Sequence, residues 1–239
     1  MFMKKLKKIK HTLLASLLLI GFSFAKPNNG ISLMYLFDVS RSFHKNSLPS
    51  SIKTADKIFK SISNKNSGIV FPQTHQVSTI DDQSVTRKQQ CFVEVVQSNI
   101  FKKVKVPPDF TKCLEEIKSS NASNYTDIDG ALLNASRSLR GDEFYGKGII
   151  IFSDLHEDVP IKKEFEYNLD GVSIFVVHAL SNKQIKNAKL SVDDENKIKQ
   201  TLIDHGVNKD AIFIGTLKSV ITNPDQVKSF FRKSFKNNR

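Results

Sequence analysis

Asp38-Val39-Ser40-Arg41-Ser42 sets one carboxylate and two hydroxyls at alternate positions, directly after the apolar run Ile31 to Phe37. A loop with that spacing can turn all three oxygens towards one point. A second aspartate, Asp154, follows the apolar run Gly148 to Phe152 with only Ser153 between them. Both runs have the length of strands buried on both faces, so both carboxylates are expected to emerge at one edge of a sheet. Oxygen donors of this kind suit a hard divalent cation. Mg²⁺, which keeps waters and takes few protein ligands, fits first, with Mn²⁺ and Ca²⁺ as alternatives.

At these residues the sequence resembles the von Willebrand factor type A (vWA) family, whose metal-ion-dependent adhesion site combines an Asp-x-Ser-x-Ser loop with a distant Thr and a distant Asp. The resemblance adds Thr126, which precedes the segment Asp127-Ile128-Asp129-Gly130-Ala131-Leu132, and gives the ligand set Asp38, Ser40, Ser42, Thr126 and Asp154. It implies that an open coordination position accepts an Asp or Glu carboxylate from a partner protein. No small-molecule substrate and no catalysis are implied. The family usually carries glycine before its Thr and after its last Asp, whereas this chain has Asn124-Tyr125 and Leu155, so the loops are expected to be shaped differently. Asp127, Asp129, His156, Glu157 and Asp158 crowd the same loops, either as outer acceptors or as solvated charges.

The elements that must position these residues alternate along the chain. After the first strand, Ile52, Ala55, Phe59 and Ile62 recur at helical spacing, with Gly68 beyond them as a stop. Val77 to Ile80 and Cys91 to Val96 read as a hairpin around the turn Asp81 to Ser84, and Pro107 and Pro108 then break the chain. A short helix around Phe110, Leu114 and Ile117 follows. The stripe Ile128, Leu132, Ala135 and Leu139, closed by Gly141, is the clearest helix. Strands are expected at Gly148 to Phe152, Val172 to Val177 and Ala211 to Ile214. Helices are expected after Ser191 and Asp194, a capping-box pattern stopped by Gly206, and after Asn223-Pro224-Asp225. This order predicts an α/β fold: three layers, doubly wound and Rossmann-like, with a mostly parallel central sheet and helices on both faces. Function then gathers beyond the carboxyl ends of the strands.

Residues 1–25 read as a signal peptide: five lysines within the first ten residues, the apolar run Thr12 to Phe24, and Ser23 and Ala25 before the expected cleavage point. Residues 26–239 are then a single vWA-like domain in a periplasmic or secreted protein, with a bacterial envelope, secretion or conjugation assembly as the preferred setting. Asn121, Asn124 and Asn134 fit the glycan-acceptor pattern, and in a eukaryotic pathway a glycan on Asn124 would sit beside the metal, which together with the lysine-rich leader favours the bacterial one. The formal charge of +12 falls to about +7 once the five leader lysines are removed. The remaining basic clusters, at Lys102, Lys103 and Lys105 and at Lys228, Arg232, Lys233, Lys236 and Arg239, suit anionic contact. Cys91 and Cys113 are the two cysteines. In an oxidising compartment they pair, with two buried thiols as the alternative. Two other functions compete: a nucleic-acid or envelope-surface binder working through the basic clusters, and a Mg²⁺-dependent phosphatase. The phosphatase wants a second Asp where Ser40 stands. The domain is expected as a monomer or as part of a larger assembly.

Overall fold

Eleven residues, Asn28–Asp38, form the first strand, β1, at the centre of the molecule. The computed structural model describes residues 28–64, 66–84, 91–96, 109–156, 165–179 and 192–237. The leader, the cluster at residues 102–105, Pro107, Pro108, Glu157, Asp158, Ser191 and Arg239 lie outside the described residues. After β1 come α1 (Arg41–Asn46), α2 (Leu48–Ile62), β2 (Gln73–Ile80), β3 (Cys91–Val95), α3 (Asp109–Lys118), α4 (Ile128–Arg140), β4 (Phe144–Ser153), β5 (Val172–His178), α5 (Val192–Asp204), β6 (Ile212–Thr216), α6 (Leu217–Thr222) and α7 (Asp225–Asn237).

The six strands are ordered β3-β2-β1-β4-β5-β6, and every neighbouring pair is parallel except β2 and β3. This is the α/β, doubly wound, three-layer arrangement expected from the alternation of elements. Strand polarity explains the central position of β1. Ile31, Leu33, Tyr35 and Phe37 point into one apolar layer and Met34 and Leu36 into the other, and all are buried. The first layer is closed by α1, α2, α3, α6 and α7, and the second by α4 and α5. Apolar residues on both faces are what a covered parallel strand requires.

The expected helical stripes are the buried ones: Ile52, Ala55, Phe59 and Ile62 on α2, and Ile128, Leu132, Ala135 and Leu139 on α4. Asp127 caps α4, its Oδ1 accepting from the Gly130 amide at 2.8 Å. Gly68 and Gly206 take left-handed φ of +72° and +92°, the conformation that stops a helix without a Cβ clash. Gly146 and Gly148 of β4 serve packing instead. A Cβ on Gly148 would lie 2.5 Å from the Phe231 ring of α7, and one on Gly146 3.1 Å from Phe235.

Two features differ from the sequence expectation. β2 begins at Gln73, four residues before Val77, although Gln73-Thr74-His75-Gln76 is polar. These side chains are buried because each finds a partner: His75 Nδ1 lies 3.2 Å from the Tyr35 hydroxyl, Thr74 Oγ1 donates to Ser32 at 2.9 Å, and Gln76 Nε2 donates to Asp142 at 3.1 Å. Burial drives the His75 pKa down to about 3, so the ring is neutral and carries no charge into the core. The hairpin is present, with His75 opposite Val93 and Val77 opposite Cys91. The second difference is that the Asp-x-Ser-x-Ser segment runs straight into the short helix α1 rather than an extended loop. Cys91 of β3 and Cys113 of α3 form a disulfide, which ties the edge strand to the helix layer.

Candidate metal centre

The chain leaves β1 for β2 on one side and returns from β3 to β4 on the other, so the strand order reverses between β1 and β4. Such a reversal opens a crevice at the carboxyl ends of the two strands. Phe37 pairs with Phe152 across this junction, and the residues that follow are Asp38 at the end of β1, and Ser153 at the end of β4 with Asp154 directly after it. The two aspartates read from the sequence therefore do share one rim.

Asp38 is fully buried. Its Oδ1 accepts from the Ser40 amide at 2.8 Å, and its Oδ2 from the Ser153 hydroxyl at 2.9 Å. Burial pushes its pKa up to about 6; the hydrogen bonds from Ser40 and Ser153 oppose the rise, and the charge of Asp154 adds to it. Asp154 is thus close enough to be felt electrostatically. Its backbone carbonyl accepts from His178 Nε2 at 3.1 Å and its Oδ1 from the His156 amide at 3.1 Å, which fixes the loop after β4 from below and from ahead.

Ser40 sits at the N-cap of α1, yet its side chain makes no capping bond; it lies beside Asp38 instead. Its carbonyl accepts from the His44 amide at 2.7 Å. Ser42 lies in the first turn of α1 and is exposed. Thr126 is buried directly before the Asp127 cap. Its loop is stitched to the Asp38 loop by backbone: the Arg41 amide donates to the Ser123 carbonyl at 3.0 Å and the Ser123 amide to the Val39 carbonyl at 2.8 Å. The structure thus brings Asp38, Ser40 and Asp154 together. It holds the Thr126 segment against them through Ser123 and places Ser42 at the solvent side.

Sequence reasoning missed Ser153, Ser123 and His178. Ser153 was legible in principle, since parallel pairing of the two apolar runs sets Asp38 opposite it. Ser123 carries no residue-type signal, because its backbone makes the link, and its hydroxyl then holds the neighbouring loops: it accepts from the Asp82 amide at 3.3 Å and donates to the Tyr125 carbonyl at 2.8 Å. Leu155, which stands where the family usually has glycine, adopts φ +63°, a left-handed conformation that glycine reaches more easily. Non-glycine residues in that region store of order 1 kcal/mol or more. The Leu155 side chain offsets part of this by packing on the α4–α5 layer.

The donors fit a hard cation. They are oxygens only, two carboxylates and hydroxyls, the donor type that Mg²⁺ would take. Among the described residues no three His, Cys, Asp or Glu side chains are grouped so as to hold a metal ion by themselves. Ser40 stands where a phosphatase with an aspartate nucleophile needs a carboxylic acid.

Fold comparison agrees with this topology. The chain resembles the pilus adhesin SpaC from Lactobacillus rhamnosus GG with a TM-score of 0.51 at 12% identity, over 87% of this chain and 30% of that one. It thus spans under a third of the adhesin. It also resembles the SpRpn10 VWA domain (TM-score 0.47, 17% identity, 81% of this chain and 95% of that one) and BatB from Bacteroides thetaiotaomicron (0.47, 13%, 85% and 100%). No protein-family model matches the chain, and no curated protein matches it in sequence. The match to the adhesin shows a shared α/β fold, here a doubly wound, mostly parallel sheet with its reversal point at Asp38 and Asp154.

Proposed function

We propose that the chain is an exported, non-catalytic binding domain that holds a divalent cation, Mg²⁺ first, through Asp38, Ser40, Ser42, Thr126 and Asp154. The cation's open position takes an Asp or Glu carboxylate of a partner protein. The observation that carries the reading is the convergence of Asp38 and Asp154, both buried and electrostatically coupled, at the β1–β4 reversal with the Ser40 loop folded over them. The disulfide between Cys91 and Cys113 supports an oxidising compartment. Among the described residues no helix is long and apolar enough to cross a membrane. A periplasmic or secreted domain of an envelope assembly accommodates both facts, with the leader removed after Ala25.

The test is Asp38→Ala. Titration of Mg²⁺ or Mn²⁺ by calorimetry should give one site in the parent and none in the variant, and a partner drawn from envelope extract should be retained by the parent and released by EDTA. Circular dichroism should be unchanged. Undiminished cation binding in the folded variant would overturn the ligand assignment. Retention that resists EDTA but yields to salt would favour a purely electrostatic, basic-surface contact.

A further inference from the structure

The opposite pole of the domain carries a second feature, independent of the metal. Phe231 of α7 lies over Gly148 and Phe235 over Gly146, so α7 runs antiparallel to β4 and ends where the strands begin. There a cleft of about 250 Å³ opens between the Gly68–Val70 turn, Tyr145, Phe235, Arg232 and Lys236. A Cβ on Gly68 would lie 2.9 Å from the Arg232 guanidinium carbon, so the glycine lets that guanidinium rest on main chain. Arg232 and Lys236 are both exposed, four residues apart on one face of α7. Among the described residues neither pairs with a carboxylate. The one acid of α7, Asp225, sits at the other end of the helix and is held by Ser61 and Lys228. Glu143, exposed two residues before Tyr145, is the nearest opposing charge in sequence.

We propose that this pole docks on a bilayer through the phosphate groups of anionic lipid headgroups, gripped by Arg232 and Lys236 with Tyr145 at the interface. Two guanidinium or ammonium groups over one cleft match a phosphodiester, and tyrosine favours the headgroup level. Charge complementarity selects the occupant: two exposed cations four residues apart on one helix face are the complement of the closely spaced phosphates of an anionic bilayer.

The chain from Lys26 onward contains every element of the fold and serves for the test, with EDTA present to silence the metal rim. It should co-sediment at low salt with vesicles containing phosphatidylglycerol and not with phosphatidylcholine alone. Each basic side chain near an anionic surface contributes about fivefold to partitioning, so Arg232→Gln/Lys236→Gln should lower it about 25-fold. Lys53→Gln/Lys57→Gln removes the same charge from the exposed face of α2 and should leave most of the binding intact. Equal loss in the two double variants, equal sedimentation with neutral vesicles, or release of the protein by millimolar inorganic phosphate would each overturn the proposal.

Discussion

Asp38→Asn should have opposite effects with and without a divalent cation. The Asp38 carboxyl is buried, and its pKa rises from 3.8 to about 6, chiefly through desolvation with Asp154 adding repulsion. A carboxyl whose folded pKa lies above its unfolded value favours the fold while protonated. That contribution is complete below about pH 4 and is lost as pH rises through about 6. A gap of about two units corresponds to roughly 3 kcal/mol at neutral pH, and about half of it at pH 5. Asparagine removes the charge but presents one N–H₂ where Asp38 accepted hydrogen bonds from Ser40 and Ser153, which returns about 1–2 kcal/mol. In EDTA at pH 7.5 the variant is therefore expected to be more stable than the parent by about 1–2 kcal/mol, a rise in Tm of about 2–8 °C for a domain of this size. The gain should shrink towards pH 5. In saturating Mg²⁺ the order reverses, because only the parent gains the binding term, which grows with the ratio of free cation to Kd. Thermal unfolding followed by circular dichroism at the two pH values, with EDTA and with Mg²⁺, reads all four cells. A variant destabilised equally in all of them would refute the reasoning, since Asp38 would then be a structural hydrogen-bond acceptor and nothing more.

Three further perturbations probe the scaffold. Leu155→Val places a β-branched residue at φ +63° and should lower stability by about 1–2 kcal/mol in urea and weaken Mg²⁺ binding, whereas Leu155→Gly should keep the affinity of the parent. Gly148→Ala forces a Cβ to within 2.5 Å of Phe231 and 2.7 Å of Leu33, and the denaturation midpoint should fall by an amount equivalent to about 1–3 kcal/mol; an unchanged midpoint would mean that α7 moves freely over β4. Reduction of Cys91–Cys113, which closes a loop with a sequence separation of 22, should lower stability by about 3 kcal/mol, read as a drop in Tm on adding dithiothreitol.

Much of this architecture was legible in the residues because apolar patterning and strand burial agree. ISLMYLF and GIIIF have no polar residue that a buried two-faced strand cannot hold, and both run into aspartates that the parallel register then sets on one rim. β2 was half hidden. Val77 to Ile80 announced a strand, but the polar Gln73 to Gln76 carry no strand signal of their own, since their burial depends on partners as remote in sequence as Ser32, Tyr35 and Asp142. The first turn of α1 was hidden for a different reason: a Ser-rich stretch reads as loop or cap, and Phe43 is the one α1 residue that the core draws in. The link through Ser123 was invisible because it is made by backbone amides and carbonyls, which any residue type supplies.

The two kinds of buried polar group in this chain also separate structure from function. His75 escapes the penalty of burial by staying neutral at any physiological pH, and the Tyr35 hydroxyl beside its ring satisfies it. Asp38 has no such escape: with its pKa near 6 it is ionised at pH 7, beside a second carboxylate and beneath a serine that leaves its capping role unfilled. Leu155, in the same loop cluster, holds a backbone conformation that glycine would reach more easily. Unfavourable local choices concentrated at one rim of an otherwise consistent fold mark the place where something outside the chain completes the balance. Under the proposed reading a divalent cation would do so for Asp38 and Asp154 together, because one positive centre would offset both the desolvation penalty and the mutual repulsion, whereas protonation can relieve only one carboxylate at a time.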